Sequence, residues 1–263
     1  MIKDCIIVRI MSSPNVGIIV QARMTSTRLP GKILKTLSEN VTILELLLKR
    51  LKLSKLSNSI IVATTKNEID RPIIEIAKIN NIQFFLGEEF NVLERYYIAA
   101  RKFKIGLIVR ITSDCPFVDP IMIDDMISFY KKNRYDFIYN VAEDLTNIPI
   151  GFDIEIFSFE TLKKVYKNAK SEKDKEHVTS YINCHPNQFS IFYYNDENIK
   201  KIDGLRLTID YPEDLILCRE IFKRLTESRK FADFSIHDIY EIIEKEPQLM
   251  DINKHIPNKP LLF

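Results

Sequence analysis

The 263 residues are 46% hydrophobic and 28% charged, a composition that can bury one sizeable core and that excludes a disordered chain. With 38 Lys and Arg against 36 Asp and Glu the formal charge is only +2, so there is no global positive field of the kind a nucleic-acid partner needs. Cys5, Cys115, Cys184 and Cys218 form no CxxC pair, which argues against a zinc site or a disulfide framework and for a reducing, cytoplasmic setting. The apolar patch Cys5-Ile6-Ile7-Val8 is interrupted by Arg9 with no cleavage site after it, and no run reaches the roughly 18 to 20 apolar residues of a membrane span, so neither a secretory signal nor a membrane partner is expected.

From Val16 onward, short β-branched runs alternate with amphipathic stretches of helical length, which predicts an α/β fold with a mostly parallel central sheet flanked by helices. The first strand is Val16–Val20, and a basic loop follows it directly. Thr42-Ile43-Leu44-Glu45 is a capping box that opens a helix through Leu51, and a strand over Ile60–Thr64 comes next. Asp70 and Pro72 open a second helix, Ile82–Leu86 reads as a strand, Asn91–Phe103 as a helix and Leu107–Ile111 as a buried strand ending at Thr112-Ser113-Asp114-Cys115-Pro116. Asp119 caps a further helix with Pro120 at its first position, followed by a strand over Asp136–Asn140.

Residues 141–204 break the alternation and read as a small inserted α+β portion for substrate binding or dimerisation. It holds a turn at Pro149-Ile150-Gly151, a strand Phe152–Phe157, helices near 159–169 and 174–184, and a strand Phe189–Tyr194. A strand over Leu205–Ile209 then returns the chain to the main sheet and delivers Asp210 to its edge. The main domain is expected to span 16–225, preceded by an extension over 1–15, with Met11 as an alternative start. A peripheral helix and a tail of no clear period fill 226–263.

The densest chemical signal is Gln21-Ala22-Arg23-Met24-Thr25-Ser26-Thr27-Arg28-Leu29-Pro30-Gly31-Lys32. Three cations lie here at the carboxyl end of a strand, where parallel sheets bind ligands. Arg23 and Arg28 offer forked donors, Lys32 a point charge and Pro30-Gly31 a tight turn, a set suited to polyphosphate. The loop is neither a Walker motif nor a GxGxxG fingerprint. Asp114 and Asp210, each placed after a strand, could share a Mg²⁺ ion with phosphate oxygens. For Asp119, Asp124 and Asp214 helix capping is the preferred reading. His177, one of four histidines, is placed on the 174–184 helix with Tyr181 one turn on.

Four motifs in this order, the loop above, Ile111-Thr112-x-Asp114-Cys115-Pro116, Lys175-Glu176-His177-Val178-Thr179 and Asp210-x-x-Glu213-Asp214, resemble the spore coat polysaccharide biosynthesis protein F family. That family is similar to the CMP-KDO synthetases and acylneuraminate cytidylyltransferases, and the resemblance covers residues 16–225. It implies a Rossmann-like three-layer sandwich of the nucleotide-diphospho-sugar transferase kind and a cytoplasmic, metal-dependent cytidylyltransferase. It further implies that Arg23, Ser26, Arg28 and Lys32 bind the CTP phosphates, and that Asp114 and Asp210 hold Mg²⁺. Gln21, Ala22, Ala63 and Thr64 would then lie beside the base and ribose, and Gly151, Asp153, Glu155, Glu176 and His177 would face the second substrate. A homodimer is expected by analogy. Thr25, Ser113 and Lys175 stand where the family more often has Gly, Gly and Arg.

The expected reaction is attack by an oxygen of an acidic sugar or phosphorylated acceptor on the α-phosphate of CTP, releasing pyrophosphate, in surface polysaccharide or glycoconjugate synthesis. Arg23, Lys32, Asp114 and Asp210 carry it, and replacing either aspartate is expected to spare the fold because each is placed in a solvated crevice. Two other readings stay open: a nucleotide-sugar-dependent glycosyltransferase, although no DxD motif is present around Asp114, and a non-catalytic nucleotide-binding protein.

Overall fold

A computed structural model describes residues 14–142 and 145–257; Cys5–Val8, Met11 and the last six residues of the tail lie outside the described residues. In chain order the strands are β1 (Val16–Gln21), β2 (Thr36–Ser38), β3 (Val41–Thr42), β4 (Ser59–Thr65), β5 (Gln83–Gly87), β6 (Leu107–Thr112), β7 (Phe137–Tyr139), β8 (Glu155–Ser158) and β9 (Ile191–Tyr193). The helices are α1 (Ile43–Leu51), α2 (Arg71–Ile79), α3 (Val92–Lys102), α4 (Pro120–Lys132), α5 (Phe159–Asn168), α6 (Glu172–Glu176), α7 (Ser180–Cys184), α8 (Pro212–Glu227) and α9 (Ile236–Lys245). Seven strands form one sheet in the order β5-β4-β1-β6-β8-β7-β9, in which only β8 runs against its neighbours. β2 and β3 form a separate antiparallel pair. Among the described residues no helix is long and apolar enough to cross a membrane.

The helices start where short polar side chains satisfy their first N–H groups. Thr42 and Glu45 make the reciprocal capping box of α1, Asn91 caps α3 and Asp119 caps α4 ahead of Pro120. The central strands are covered on both faces, so Val16, Ile18, Ile19 and Val20 of β1 are all buried, as the continuous apolar run requires. Arg50 of α1 is wholly buried, and its guanidinium donates to the carbonyls of Phe117, Val118, Ala232 and Phe234 while lying 3.5 Å from the centre of the Phe234 ring. This ties the β6–α4 connection to the C-terminal segment. Asp119 adds a second tie by accepting the Ile236 N–H at 2.8 Å.

Three expectations are corrected. The run Leu205–Ile209 is not a strand: only Arg206 bridges to Ile150, because Leu207 donates to Ile150 at 2.8 Å and Ile209 to Asp114 at 2.9 Å, so the segment changes partner within three residues. All five of its residues are buried, so it has the continuously buried look of an inner strand without a continuous ladder. The helix expected over 174–184 is two short helices, α6 and α7, and His177 ends the first, so Tyr181 does not lie one helical turn beyond it. The strand expected from Phe152 begins only at Glu155. The 141–204 portion meanwhile supplies β8 and β9 to the central sheet, β8 directly beside β6.

Candidate active site

Strand order reverses at β1, which has β4 on one side and β6 on the other, and the register sets Gln21 level with Ala63 and Thr112. The chain leaving β1 and the chain leaving β6 therefore diverge at the same height and open a crevice between them, as expected at a switch point. The loop after β1 is folded by its own backbone: Ser26 and Gly31 both donate to the Met24 carbonyl, at 2.9 and 3.1 Å. Gly31 takes φ 65°, a left-handed turn that favours glycine, and leads into a short 3₁₀ turn over Lys32–Leu34. Buried Asp70 anchors the loop's other end by accepting the Met24 N–H at 2.7 Å and the Thr65 hydroxyl.

At the crevice floor the charges interleave. The Lys32 ammonium lies 2.6 Å from Asp114 and 2.9 Å from Asp210, Arg28 donates to the same Asp210 oxygen, and Arg206 reaches the other Asp210 oxygen at 3.0 Å. Burial pushes the Asp114 carboxyl up, but Lys32 beside it outweighs that and holds it down at about 2. Burial pushes Lys32 down, and the two carboxylates outweigh it in turn, so its pKa is raised. Arg206 also pairs at 3.1 Å with fully buried Asp214, which accepts the Asp210 and Tyr211 N–H groups at the start of α8. Asn253 closes this support by donating to Asp214 at 2.9 Å and to the Arg206 carbonyl at 3.0 Å, so the C-terminal segment braces the site. Asp210 is itself 7% exposed and held from three sides, so the solvated position expected for it is corrected.

On the β6–β8 side of Asp114 opens a cavity of about 480 Å³ lined by Arg28, Arg110, Tyr139, Asp153, Glu155 and His177, among others. Arg110 pairs with Glu155, its register partner across β6 and β8, and reaches Gln21 Oε1 at 3.1 Å. Asp153 accepts the Tyr139 hydroxyl at 3.1 Å and the Gly151 N–H at 2.8 Å. Burial raises the pKa of both Asp153 and Glu155. Gly151 shapes this wall rather than lining it: its φ is 108°, and a Cβ there would collide with the Leu207 backbone.

A smaller crevice of about 240 Å³ lies under the loop and gathers Gln21, Ala22, Arg23, Ser26, Arg28, Lys32, Asp114 and Asp210. Glu176, expected to face the second substrate, lies here instead, 3.4 Å from Arg23. Ala63 and Thr64 are wholly buried in β4, and the Ala63 carbonyl is taken by the Ala22 N–H at 3.1 Å. Asp119 and Asp124 bond backbone N–H groups at helix starts and turns, away from both cavities. Sequence reading missed Arg95, Arg110, Tyr139 and Arg206. The available signal was a single arginine inside each of two apolar runs, Leu107–Ile111 and Leu205–Ile209, where an unpaired charge is too costly to bury.

Among the described residues no three His, Cys, Asp or Glu side chains come together around one point. Two carboxylates that already converge on one ammonium do fit Mg²⁺, which takes one or two carboxylates and fills its sphere with phosphate oxygens and water.

Comparison with known proteins agrees with this geometry. The cytidylyltransferase family model matches residues 17–255. The spore coat polysaccharide biosynthesis protein SpsF of Bacillus subtilis is 31% identical over 235 residues, 87% of this chain and 94% of that protein. An uncharacterised protein of Methanocaldococcus jannaschii is 38% identical over 241 residues, 92% of this chain and 95% of that protein. A solved cytidylyltransferase of Leptospira borgpetersenii superposes with a TM-score of 0.84 at 34% identity, covering 90% of this chain and 97% of that one. A basic loop, two carboxylates facing it and a cavity beyond them thus have a common explanation: the chain belongs to the cytidylyltransferase family, whose members transfer CMP from CTP.

Proposed function

We propose that the chain transfers CMP from CTP to an oxygen of an acidic sugar or phosphorylated acceptor in polysaccharide synthesis, with release of pyrophosphate. The observation that carries this is the Lys32 bridge between Asp114 and Asp210, which sits where the phosphate crevice meets the larger cavity. Arg23, Arg28 and Lys32 leave their carboxylate partners for the triphosphate, orient it and take up the charge of the departing pyrophosphate. Asp114 and Asp210, relieved of Lys32 and Arg28, would hold Mg²⁺, which would supply charge stabilisation at the phosphoryl oxygens. In the 480 Å³ cavity, Arg28 and Arg110 supply cationic donors for an acid group, while Asp153 and Glu155 accept from sugar hydroxyls. The acceptor oxygen attacks phosphorus in line, and no covalent enzyme intermediate is required. The setting is cytoplasmic, and dimerisation uses the 141–204 portion.

The test is to incubate the protein with CTP, Mg²⁺ and a panel of sugar acids and sugar phosphates while following pyrophosphate. Acceptor-dependent release is expected. No release across the panel, with turnover of a UDP- or GDP-sugar instead, would overturn the proposal in favour of glycosyl transfer.

A further inference from the structure

Asn253 belongs to the tail whose sequence shows no period, yet only 2% of it is exposed. It ends a short 3₁₀ turn over Pro247–Ile252, where its N–H donates to the Met250 carbonyl, and buried Leu249 and Ile256 seat the segment on either side of it. Its side-chain amide donates to Asp214 at 2.9 Å and to the Arg206 carbonyl at 3.0 Å. Buried Arg206 lies in the 205–209 segment, whose one bridge to Ile150 uses the Leu207 N–H and leaves the Arg206 carbonyl outside any ladder. A buried carbonyl needs a donor. Asn253 supplies the one that a neighbouring strand supplies elsewhere, and so fixes the backbone from which the Arg206 side chain projects.

From that position Arg206 divides the two oxygens of Asp210. Its Nη2 donates to Oδ2 at 3.0 Å, while its Nε is held at 3.1 Å by Asp214, the carboxylate that Asn253 also binds. Arg28 and, at 2.9 Å, Lys32 take the other oxygen, Oδ1, and Lys32 links it to Asp114. The two sets differ in permanence. Lys32 and Arg28 belong to the basic loop and exchange Asp210 for a triphosphate on the proposed reading, whereas Arg206 is tied to fully buried Asp214 and stays. With nucleotide bound, the orientation of Asp210 depends on Arg206 and, behind it, on Asn253.

We propose that Asn253 is a positioning residue: through Arg206 it holds Oδ2 of Asp210, so that Oδ1 keeps facing Asp114 after the loop cations have left. The two carboxylates then stay convergent on one point, as a divalent cation shared with phosphate oxygens requires. This rests on the reading of Asp114 and Asp210 as the metal carboxylates.

The experiment compares the wild type with Asn253→Leu, which keeps most of the volume and removes both donors, and with Asn253→Ser, a milder change that keeps one donor. Mn²⁺ binding is followed by electron paramagnetic resonance in the presence of CTP, tripolyphosphate binding without metal by calorimetry, and kcat over a range of Mg²⁺ concentrations. Asn253→Leu should bind Mn²⁺ about tenfold more weakly with CTP present, and its kcat should fall at limiting Mg²⁺ and recover as Mg²⁺ rises. Metal-free tripolyphosphate binding should stay within about twofold of the wild type, because Arg23, Arg28 and Lys32 are untouched. Asn253→Ser should fall between the two chains, and it carries the comparison alone if Asn253→Leu does not fold. Wild-type Mn²⁺ affinity in the folded variants, or a loss of tripolyphosphate in step with Mn²⁺, overturns the positioning role. A wild-type chain that binds no Mn²⁺ with CTP overturns instead the metal reading on which it rests.

Discussion

The two halves of the crevice hold charge in opposite ways. Around Asp210 three cations, Arg28, Lys32 and Arg206, crowd one carboxylate, and Lys32 holds neighbouring Asp114 ionised far into acid. In the cavity beside Asp114, Glu155 pairs with Arg110 while Asp153 accepts from Tyr139 and the Gly151 backbone, and burial drives both pKa values up. On the proposed reading the first half exchanges its carboxylate partners for a polyanion. The second has acceptor oxygens in excess and suits a ligand rich in hydroxyls. A transferase needs both, with the phosphorus between them.

The largest effect that tests this division comes from the two carboxylates at the boundary. Asp114→Asn and Asp210→Asn should each lower kcat with CTP by about a thousandfold. Asp210→Asn should also lower stability by roughly 3 kcal/mol in urea, more than Asp114→Asn does, because it leaves Arg28 and buried Arg206 short of a partner. Equal stability losses would mean that the two carboxylates are not differently anchored. Wild-type rates in both variants would refute their catalytic role.

The proposed phosphate half was legible because its candidate ligands are contiguous: a loop between two elements carries its chemistry in one string, and Arg23, Ser26, Arg28 and Lys32 all line one crevice. The acceptor half is assembled from β6, β7, the turn at Gly151 and the end of α6, so its pairs cross large sequence separations. Glu155 could be named as a candidate, but its partner Arg110 could not, since that pairing exists only through the β6–β8 register. Glu176 meets Arg23 for the same reason, across a sequence separation of 153 residues. The alternating sheet and the helix starts were readable from capping residues and period. The 205–209 segment was not, because a continuously buried run does not require a ladder.

A smaller effect separates the halves by pH. The Asp114 pKa is depressed in the folded chain, so its contribution is fully present above the ordinary value of 3.8 and is lost as pH falls through about 2. The gap in unfolding free energy between wild type and Asp114→Asn should therefore hold steady from about pH 8 to 5 and shrink by about 2 kcal/mol at lower pH. Asp153 and Glu155 slope the other way, since folding favours their protonated forms and stability rises as pH falls through their raised values. Urea titrations across this range that show no shrinkage for Asp114→Asn would break the contrast.

The finest test concerns the ammonium that stands between Asp114 and Asp210. If Lys32 guards the position of a divalent cation until phosphate draws it away, then nucleotide and metal bind with positive coupling, and the coupling must run through this side chain. In the wild type, Mn²⁺ followed by electron paramagnetic resonance should bind weakly alone and more tightly with CTP. Lys32→Met keeps most of the buried stem and removes the charge, so Mn²⁺ alone should bind about tenfold more tightly than to the wild type, even though the triphosphate has lost a partner. A simple loss of a phosphate ligand predicts no such gain. Mn²⁺ affinity that is unchanged or weaker in Lys32→Met without nucleotide would show that the two carboxylates do not form the metal position, and that Lys32 only neutralises them.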